Sequence, residues 1–376
     1  MSLSKDVKRK TDIKWRIESV YAILPLLFYL ANLYRMTEHS SLPYRVSINV
    51  IGILGVVEFI LARKQNVIVV LTLYIYFITG VMNFLAIGNV SLTDVVADIL
   101  LFGITLVMLR YHFTYIQGAL AYYIIAATFL WFYRNGINTH YVLTSSGNYI
   151  SVLLIISASL YYIALHNSGR RMKIWDVFPA LLNFFLSVWA RGRGGISATF
   201  VMLILIGLVF LNGMERKMAR RIILSISVVV IALVIVSHTN FSVVNWFFSL
   251  GKWGYKGIEN AARFVIWRSY YDKMGESLTY FVFGAPLRDI PIIAGYGGNC
   301  HNSFLQLHAY NGIFMILLLM ILLILSAVHY IRRRQWIMLS VLLVFCIRAF
   351  TDKFVFGQYG MPVMMYLVLY PYTARH

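Results

Sequence analysis

The stretch HNSFLQLHAYNGIFMILLLMILLILSAV, His301 to Val328, decides how this chain is read. From Gly312 onward it is almost wholly apolar, and about 20 such residues suffice for a helix to cross a bilayer. Its first residues are of another kind. His301-Asn302-Ser303 sets an ionisable ring beside backbone N–H groups that lack partners within the helix, with Asn302 or Ser303 as the cap. Upstream lies the one long polar stretch, Thr239 to Cys300, which carries Arg263 and Trp267. An aqueous loop therefore meets a membrane helix at this junction, a good place to receive an anion.

Working outward, the 376 residues are 60% hydrophobic and 12% charged, with a mean hydropathy of +0.74. A soluble domain is roughly 25% charged. The expectation is an all-α, polytopic membrane protein of about twelve transmembrane helices. The apolar stretches fall at 17–34, 46–62, 67–88, 90–109, 115–133, 149–165, 174–190, 195–211, 221–237, 304–328, 336–350 and 357–372. The basic start shows no cleavable signal peptide and predicts a cytoplasmic N-terminus. On that orientation 20 of the 33 Lys and Arg fall on inner segments, among them Arg110, Arg170, Arg171 and Arg332 to Arg334. The net charge of +19 is thus read as membrane topology, and no nucleic-acid partner is expected. Arg191 and Arg193 stand apart, in a short outer turn where the rule disfavours them.

Residues 1–376 read as a single membrane domain, with an extracytoplasmic loop over 239–300 between the ninth and tenth spans. Within the loop, Ile258 to Met274 reads as an amphipathic helix on which Arg263, Trp267 and Tyr270 share a face. No internal repeat or low-complexity tract interrupts the pattern. Only Cys300 and Cys346 are present, so neither a disulfide framework nor a cysteine-bound metal is expected. The loop acids Glu259, Asp272, Glu276 and Asp289 form no metal signature, and no nucleotide fingerprint occurs in a usable context. The prediction is an activity without metal or cofactor.

The residues that could carry chemistry are cationic or titratable. Guanidinium groups bind phosphate oxygens in pairs, and the glycines of Ala190-Arg191-Gly192-Arg193-Gly194-Gly195 would let backbone N–H groups approach the same anion. Arg263 adds a third guanidinium, and His301 could take a proton from a hydroxyl near neutral pH. Together they would suit a lipid pyrophosphate whose tail stays in the bilayer. Plainer readings stand beside these: lipid headgroup contacts for the arginine turn, a cation-π pair with Trp267 for Arg263, a capping role for His301 and packing for His308. Asp94 and Asp98, one turn apart in the fourth span, suggest function or an arginine partner, with structural pairing preferred.

At these positions the sequence resembles the O-antigen polymerase and O-antigen ligase superfamily of bacterial envelope glycosyltransferases. The likeness rests on the arginine-glycine turn opening a span, on Ala262-Arg263-Phe264-Val265-Ile266-Trp267 as an Arg-x-x-x-Trp loop helix, and on His301-Asn302-Ser303-Phe304-Leu305 followed by Asn311-Gly312. It implies sugar transfer outside the inner membrane from an undecaprenyl-pyrophosphate-linked oligosaccharide, with both termini cytoplasmic and the active site periplasmic. By the same resemblance His301 is the base, while Arg193 and Arg263 stabilise the departing pyrophosphate. Arg191, Asn302, Trp267, Tyr270 and His308 complete the expected substrate contacts. Membrane lipids and a protein that regulates chain length are the expected partners.

The acceptor separates two activities: another lipid-linked repeat for a polymerase, the lipid A core for a ligase. The aromatic-rich loop, with flat faces on which sugars could stack, favours the polymerase. A flippase for the same lipid-linked sugar would instead show paired half-repeats and binding near the midplane, and a non-enzymatic scaffold would tolerate loss of the arginines and the histidine.

Overall fold

The computed structural model describes residues 21–37, 40–62, 65–137, 148–213 and 262–373, with the backbone alone at Arg193 and Ala262. Among the described residues every regular element is helical. In chain order these are α1 (21–37), α2 (Leu42–Leu61), α3 (Val67–Ala86), α4 (Leu92–Arg110), α5 (Tyr115–Arg134), α6 (Asn148–Asn167), α7 (Phe178–Trp189) and α8 (Arg193–Asn212). After the undescribed stretch come α9 (Ala262–Gly275), α10 (Leu278–Phe283), α11 (Pro291–Gly295), α12 (Ser303–Arg332), α13 (Trp336–Thr351) and α14 (Met361–Thr373). Seven of them, α2 to α6, α8 and α12, are long and apolar enough to cross a membrane. A shorter apolar helix covers Ile174–Trp189, α7 with the 3-10 turn before it, and α13 is another. The expected span at 221–237 lies outside the described residues, as do Glu259 and the first turn of the expected loop helix.

The ends of these helices are written in local chemistry. Ser91 opens α4 with a capping box: its hydroxyl accepts from the Asp94 N–H at 3.2 Å, and the Asp94 carboxylate accepts from the Ser91 N–H at 2.8 Å. Thr114 and Gln117 do the same for α5, and Asn66 caps α3. Each such cap contributes about 1 kcal/mol by satisfying N–H groups that the helix leaves over.

Two helices are apolar all round and lie at the centre. Residues Ile150 to Leu165 of α6 and Met361 to Leu369 of α14 are buried throughout by the helices around them. The others wrap them and turn large apolar side chains outward, among them Leu61, Leu85, Ile116 and Phe314. Such a belt belongs in lipid, and the chain is a membrane-embedded bundle. Where α2 crosses α4 the backbones nearly touch. A Cβ on Gly52 would lie 2.5 Å from the Leu100 carbonyl oxygen, and one on Gly103 would overlap the Gly52 carbonyl. Small residues at this crossing let dispersion act over the full length of the pair.

The bundle has two chemically different ends. One gathers the turn at 190–192, His301, and the segment from Asp352 to Gly360. The opposite end carries the exposed Arg110, Arg170, Arg171 and Arg332 to Arg334. There the buried Asp176 carboxylate accepts from Tyr161 at 2.5 Å and Tyr115 at 3.0 Å, with Arg170 at 3.9 Å. The last expected span is shorter than its sequence suggested. Residues 353–360 form an irregular segment, and α14 begins only at Met361.

The long loop is also more structured than a single amphipathic helix, and α12 is built to receive it. At Gly312 φ is +69° and the helix breaks. A Cβ there would overlap the Val282 carbonyl, so the break is where α10 docks. The carbonyl of Ala309 is recovered by two amides, accepting from Asn83 Nδ2 at 2.7 Å and Asn89 Nδ2 at 2.7 Å. Asn83 also donates to the Phe283 carbonyl at 2.6 Å, and Asn89 to that of Ala285 at 2.7 Å. Carbonyls freed by a broken helix in lipid need such partners.

These contacts predict that Gly312→Ala combines backbone strain with overlap and costs more than about 3 kcal/mol. Gly88→Ala, with a similar φ of +74° but nothing within 4 Å, costs about 1 kcal/mol. Thermal unfolding in detergent should place the Gly312 variant well below the Gly88 variant. Equal unfolding temperatures would show that docking at the break does not hold the loop.

Candidate functional site

Four pieces of chain meet at the loop end of the bundle. The first is the arginine-glycine turn. Arg191 takes a left-handed backbone, φ +55°, and its side chain is exposed. The three glycines around Arg193 turn out to serve packing. A Cβ on Gly192 would overlap Asn148, one on Gly195 would overlap Ser151, and one on Gly194 would lie 2.7 Å from Thr351 Oγ1. All three are buried, so the first turn of α8 presses against α6 and α13 instead of offering its backbone to an anion. For Arg193 only the backbone is placed, as the first residue of α8.

The second piece is the start of α12. Asn302 is its N-cap, with Oδ1 accepting from the N–H groups of Phe304 at 2.8 Å and Leu305 at 3.2 Å. It is buried, and its side chain is taken up in orienting the helix, the capping role that was one of the two expected of it. His301, just before it, is also left-handed, at φ +48°, and its N–H donates to Asn299 Oδ1 at 2.8 Å. The ring is a quarter exposed and stands edge-on to Tyr296, with centroids 5.3 Å apart. Burial holds its pKa below the ordinary histidine range; Asp352 opposes that effect, and the charges of Arg263 and Lys353 reinforce it. A neutral imidazole at neutral pH can accept a proton.

The third piece, at the end of α13, was not singled out from sequence. Arg348 is wholly buried and donates to Asp352 Oδ2 at 3.0 Å, Thr351 Oγ1 at 2.9 Å and the Asn148 carbonyl at 3.4 Å. Asp352 Oδ1 lies 4.0 Å from His301 Nδ1. Lys353 follows, its pKa lowered by burial against the opposing pull of Cys300, Asp352 and Asp94. A charged pair four residues apart in an otherwise apolar stretch was the legible signal, because such groups are rare in membrane segments without a purpose. Tyr296, half exposed beside His301, carried no comparable mark.

The fourth piece is α9. Arg263 is partly buried and close enough for its charge to act on His301. Trp267 donates its Nε1–H to the Cys300 carbonyl at 3.1 Å, and Gln306 fixes the same strand of chain by accepting from the Cys300 N–H at 3.0 Å. Burial pushes the Cys300 thiol up to about 12, so it behaves as an apolar packing group. Tyr270 and His308 correct the expectation of an open sugar-binding face. His308 Nε2 donates to the Phe281 carbonyl at 2.9 Å, so Nδ1 is the acceptor for the Tyr270 hydroxyl at 2.7 Å. Both are buried, and the pair fastens α9 and α10 to α12.

Among the described residues Asp94 and Asp98 are held by Ser91 and by Tyr76, whose hydroxyl donates to Asp98 at 3.1 Å, in place of the arginine that was one expectation. Among the described residues no three His, Cys, Asp or Glu side chains are placed to share a metal ion. No known protein family, curated protein or solved structure matches the chain. Its function is therefore argued from its own residues.

The geometry predicts that His301 titrates below about 6.5, the unperturbed value. Because the unfolded chain then binds this proton more tightly, His301 lowers stability as pH falls below about 6.5. The pH dependence of its modification by diethyl pyrocarbonate, followed residue by residue with mass spectrometry, measures the midpoint. Lys353→Met removes a cation and should move that midpoint upward; a downward move would contradict the arrangement.

Proposed function

We propose that the chain is a membrane glycosyltransferase of the O-antigen polymerase and ligase type, working on the outer face of the bacterial inner membrane. The observation that carries this reading is a partly exposed histidine just before the start of a membrane helix, its pKa lowered by burial and by the nearby charge of Arg263. The exposed arginines at the opposite end favour a cytoplasmic placement of that end, with both termini, and so a periplasmic site.

The donor is an undecaprenyl-pyrophosphate-linked oligosaccharide. In one inverting displacement the acceptor hydroxyl oxygen bonds to the anomeric carbon while the carbon–oxygen bond to pyrophosphate breaks. The hydroxyl proton passes to His301, and the electron pair leaves with the pyrophosphate. Arg263 and Arg193 stabilise that growing charge, with Arg191 near the membrane surface. A pyrophosphate so neutralised leaves without an acid, and no metal is required. Trp267, pinned by its indole N–H, offers a rigid flat face to a sugar.

The favoured acceptor is a second lipid-linked repeat, which makes the protein a polymerase, with a chain-length regulator as its partner. The alternative is a ligase acting on the lipid A core. Against a flippase stands the break at Gly312, where a carrier would bind its cargo: here the chain's own α10 and two asparagines fill it.

Surface polysaccharide from a deletion strain complemented with intact or variant chain tests the proposal. With the intact chain a ladder should return, whereas the deletion leaves core bearing a single repeat. Core with no repeat, and polymer held on carrier lipid, would mean a ligase. His301→Ala should lose about 10²–10⁴-fold in transfer rate, the usual weight of a general base. Arg263→Lys should lose about tenfold, since an ammonium lacks the paired donors. Unchanged ladders in both variants would remove the catalytic reading.

A further inference from the structure

The Arg348–Asp352 pair sits beside the proposed base and is not explained by donor binding. Asp352 is fixed from three sides. Its Oδ2 accepts from Arg348, its Oδ1 accepts from the Lys353 N–H at 2.9 Å, and its carbonyl accepts from Ser303 Oγ at 2.7 Å. Ser303 Oγ also accepts from the N–H groups of Phe354 at 3.2 Å and Val355 at 3.4 Å. Ser303 lies two residues from His301, so the carboxylate and the imidazole share one short frame. That frame points one carboxylate oxygen at His301 Nδ1, 4.0 Å away. Closing to hydrogen-bond range needs a movement of about 1 Å, well within the looseness seen at catalytic hydrogen bonds.

We propose that Asp352, anchored by Arg348, is the positioning residue for His301: it accepts the Nδ1–H and so leaves Nε2 as the atom that receives the acceptor's proton. A carboxylate behind an imidazole sets its tautomer and steadies the cation formed on protonation. Arg348 supplies the counter-charge that a carboxylate set within an apolar bundle needs. The charged and titratable groups that face His301 are Asp352 and Lys353 after α13, Arg263 on α9 and the Tyr296 phenol after α11. Asp352 alone among the charged groups favours the imidazolium.

The positioning role rests on the base reading above, whereas the charge link can be measured without any sugar substrate. In full-length protein, the diethyl pyrocarbonate titration of His301 is compared between the parent, Asp352→Asn and Asp352→Glu. The Asn variant should shift the midpoint downward by about 0.7 or more on the pH scale, the effect of a unit charge about 4 Å away. The Glu variant, which keeps the charge, should stay close to the parent. Sugar transfer in Asp352→Asn should fall at least about tenfold with KM for the lipid-linked donor within about twofold.

An unmoved midpoint in folded Asp352→Asn overturns the proposal, even where activity is lost, because a merely structural aspartate would behave that way. Removing Asp352 alone leaves a buried guanidinium without its counter-ion. If that variant does not accumulate, Arg348→Met combined with Asp352→Asn removes both charges and is read by the same criterion. A shifted midpoint together with full transfer in His301→Ala would keep the charge link and reject the catalytic reading instead.

Discussion

A guanidinium buried in an apolar bundle has to be neutralised where it stands, and Arg348 organises its surroundings accordingly. Desolvating such an ion costs several kcal/mol, recovered only through close, well-directed partners. Arg348 finds them on two helices and the turn beyond: Asp352 and Thr351 near its own helix end, and the Asn148 carbonyl at the start of α6. Thr351 Oγ1 in turn is the atom against which Gly194 packs, which brings the arginine-glycine turn into the same cluster. Asp352 hands the order on to Ser303 and so to the beginning of α12. One charge thereby fixes the relative placement of α6, α8, α12 and α13 at the end of the bundle where His301 sits.

The second constraint is the break in α12. A continuous helix would leave no place for α10 to dock, and the loop would rest on the small apolar cluster in which Ile266, Tyr270, Leu287 and Ile293 meet Leu305 and Ala309 of α12. Breaking the helix at Gly312 frees the Ala309 carbonyl, which Asn83 and Asn89 take up while donating also to Phe283 and Ala285 of the loop, so the loop is joined to α3 as well as to α12. The bond between Tyr270 and His308 completes the attachment. A loop fastened in three ways can hold Arg263 and Trp267 at a fixed place relative to His301. Positioning of that kind is worth more to a displacement reaction than additional contacts.

Much of this was legible in the residues. Apolar runs give the helices because hydropathy reports what lipid accepts, and the preference of asparagine and serine for a helix start narrows the cap to Asn302 or Ser303, of which the structure uses Asn302. The role of Gly194 and Gly195 was harder to read. A glycine-rich turn beside arginines fits both an anion cradle and a close helix crossing, and only the neighbours, Thr351 and Ser151, decide between them. Packing was among the readings offered for His308 but not for Tyr270, for a related reason: helical spacing says which residues share a face but not what that face meets. Arg348 and Asp352 could have been found. Their spacing places them together near a helix end, and burial makes the pairing compulsory.

His301 and Arg191 share a further property. Both hold a left-handed backbone that L-residues avoid, and only Arg334 does so besides them among the described non-glycine residues. Each costs roughly 1–2 kcal/mol, and such conformations persist where their surroundings over-determine them. For His301 those surroundings are visible: Asn299 holds its N–H on one side, and Asn302 caps the helix on the other. A relaxed backbone at 301 would swing the imidazole away from Asp352 or pull the cap from α12. The strain is thus the local cost of setting an ionisable ring at the mouth of a membrane helix, facing a carboxylate that belongs to another part of the chain.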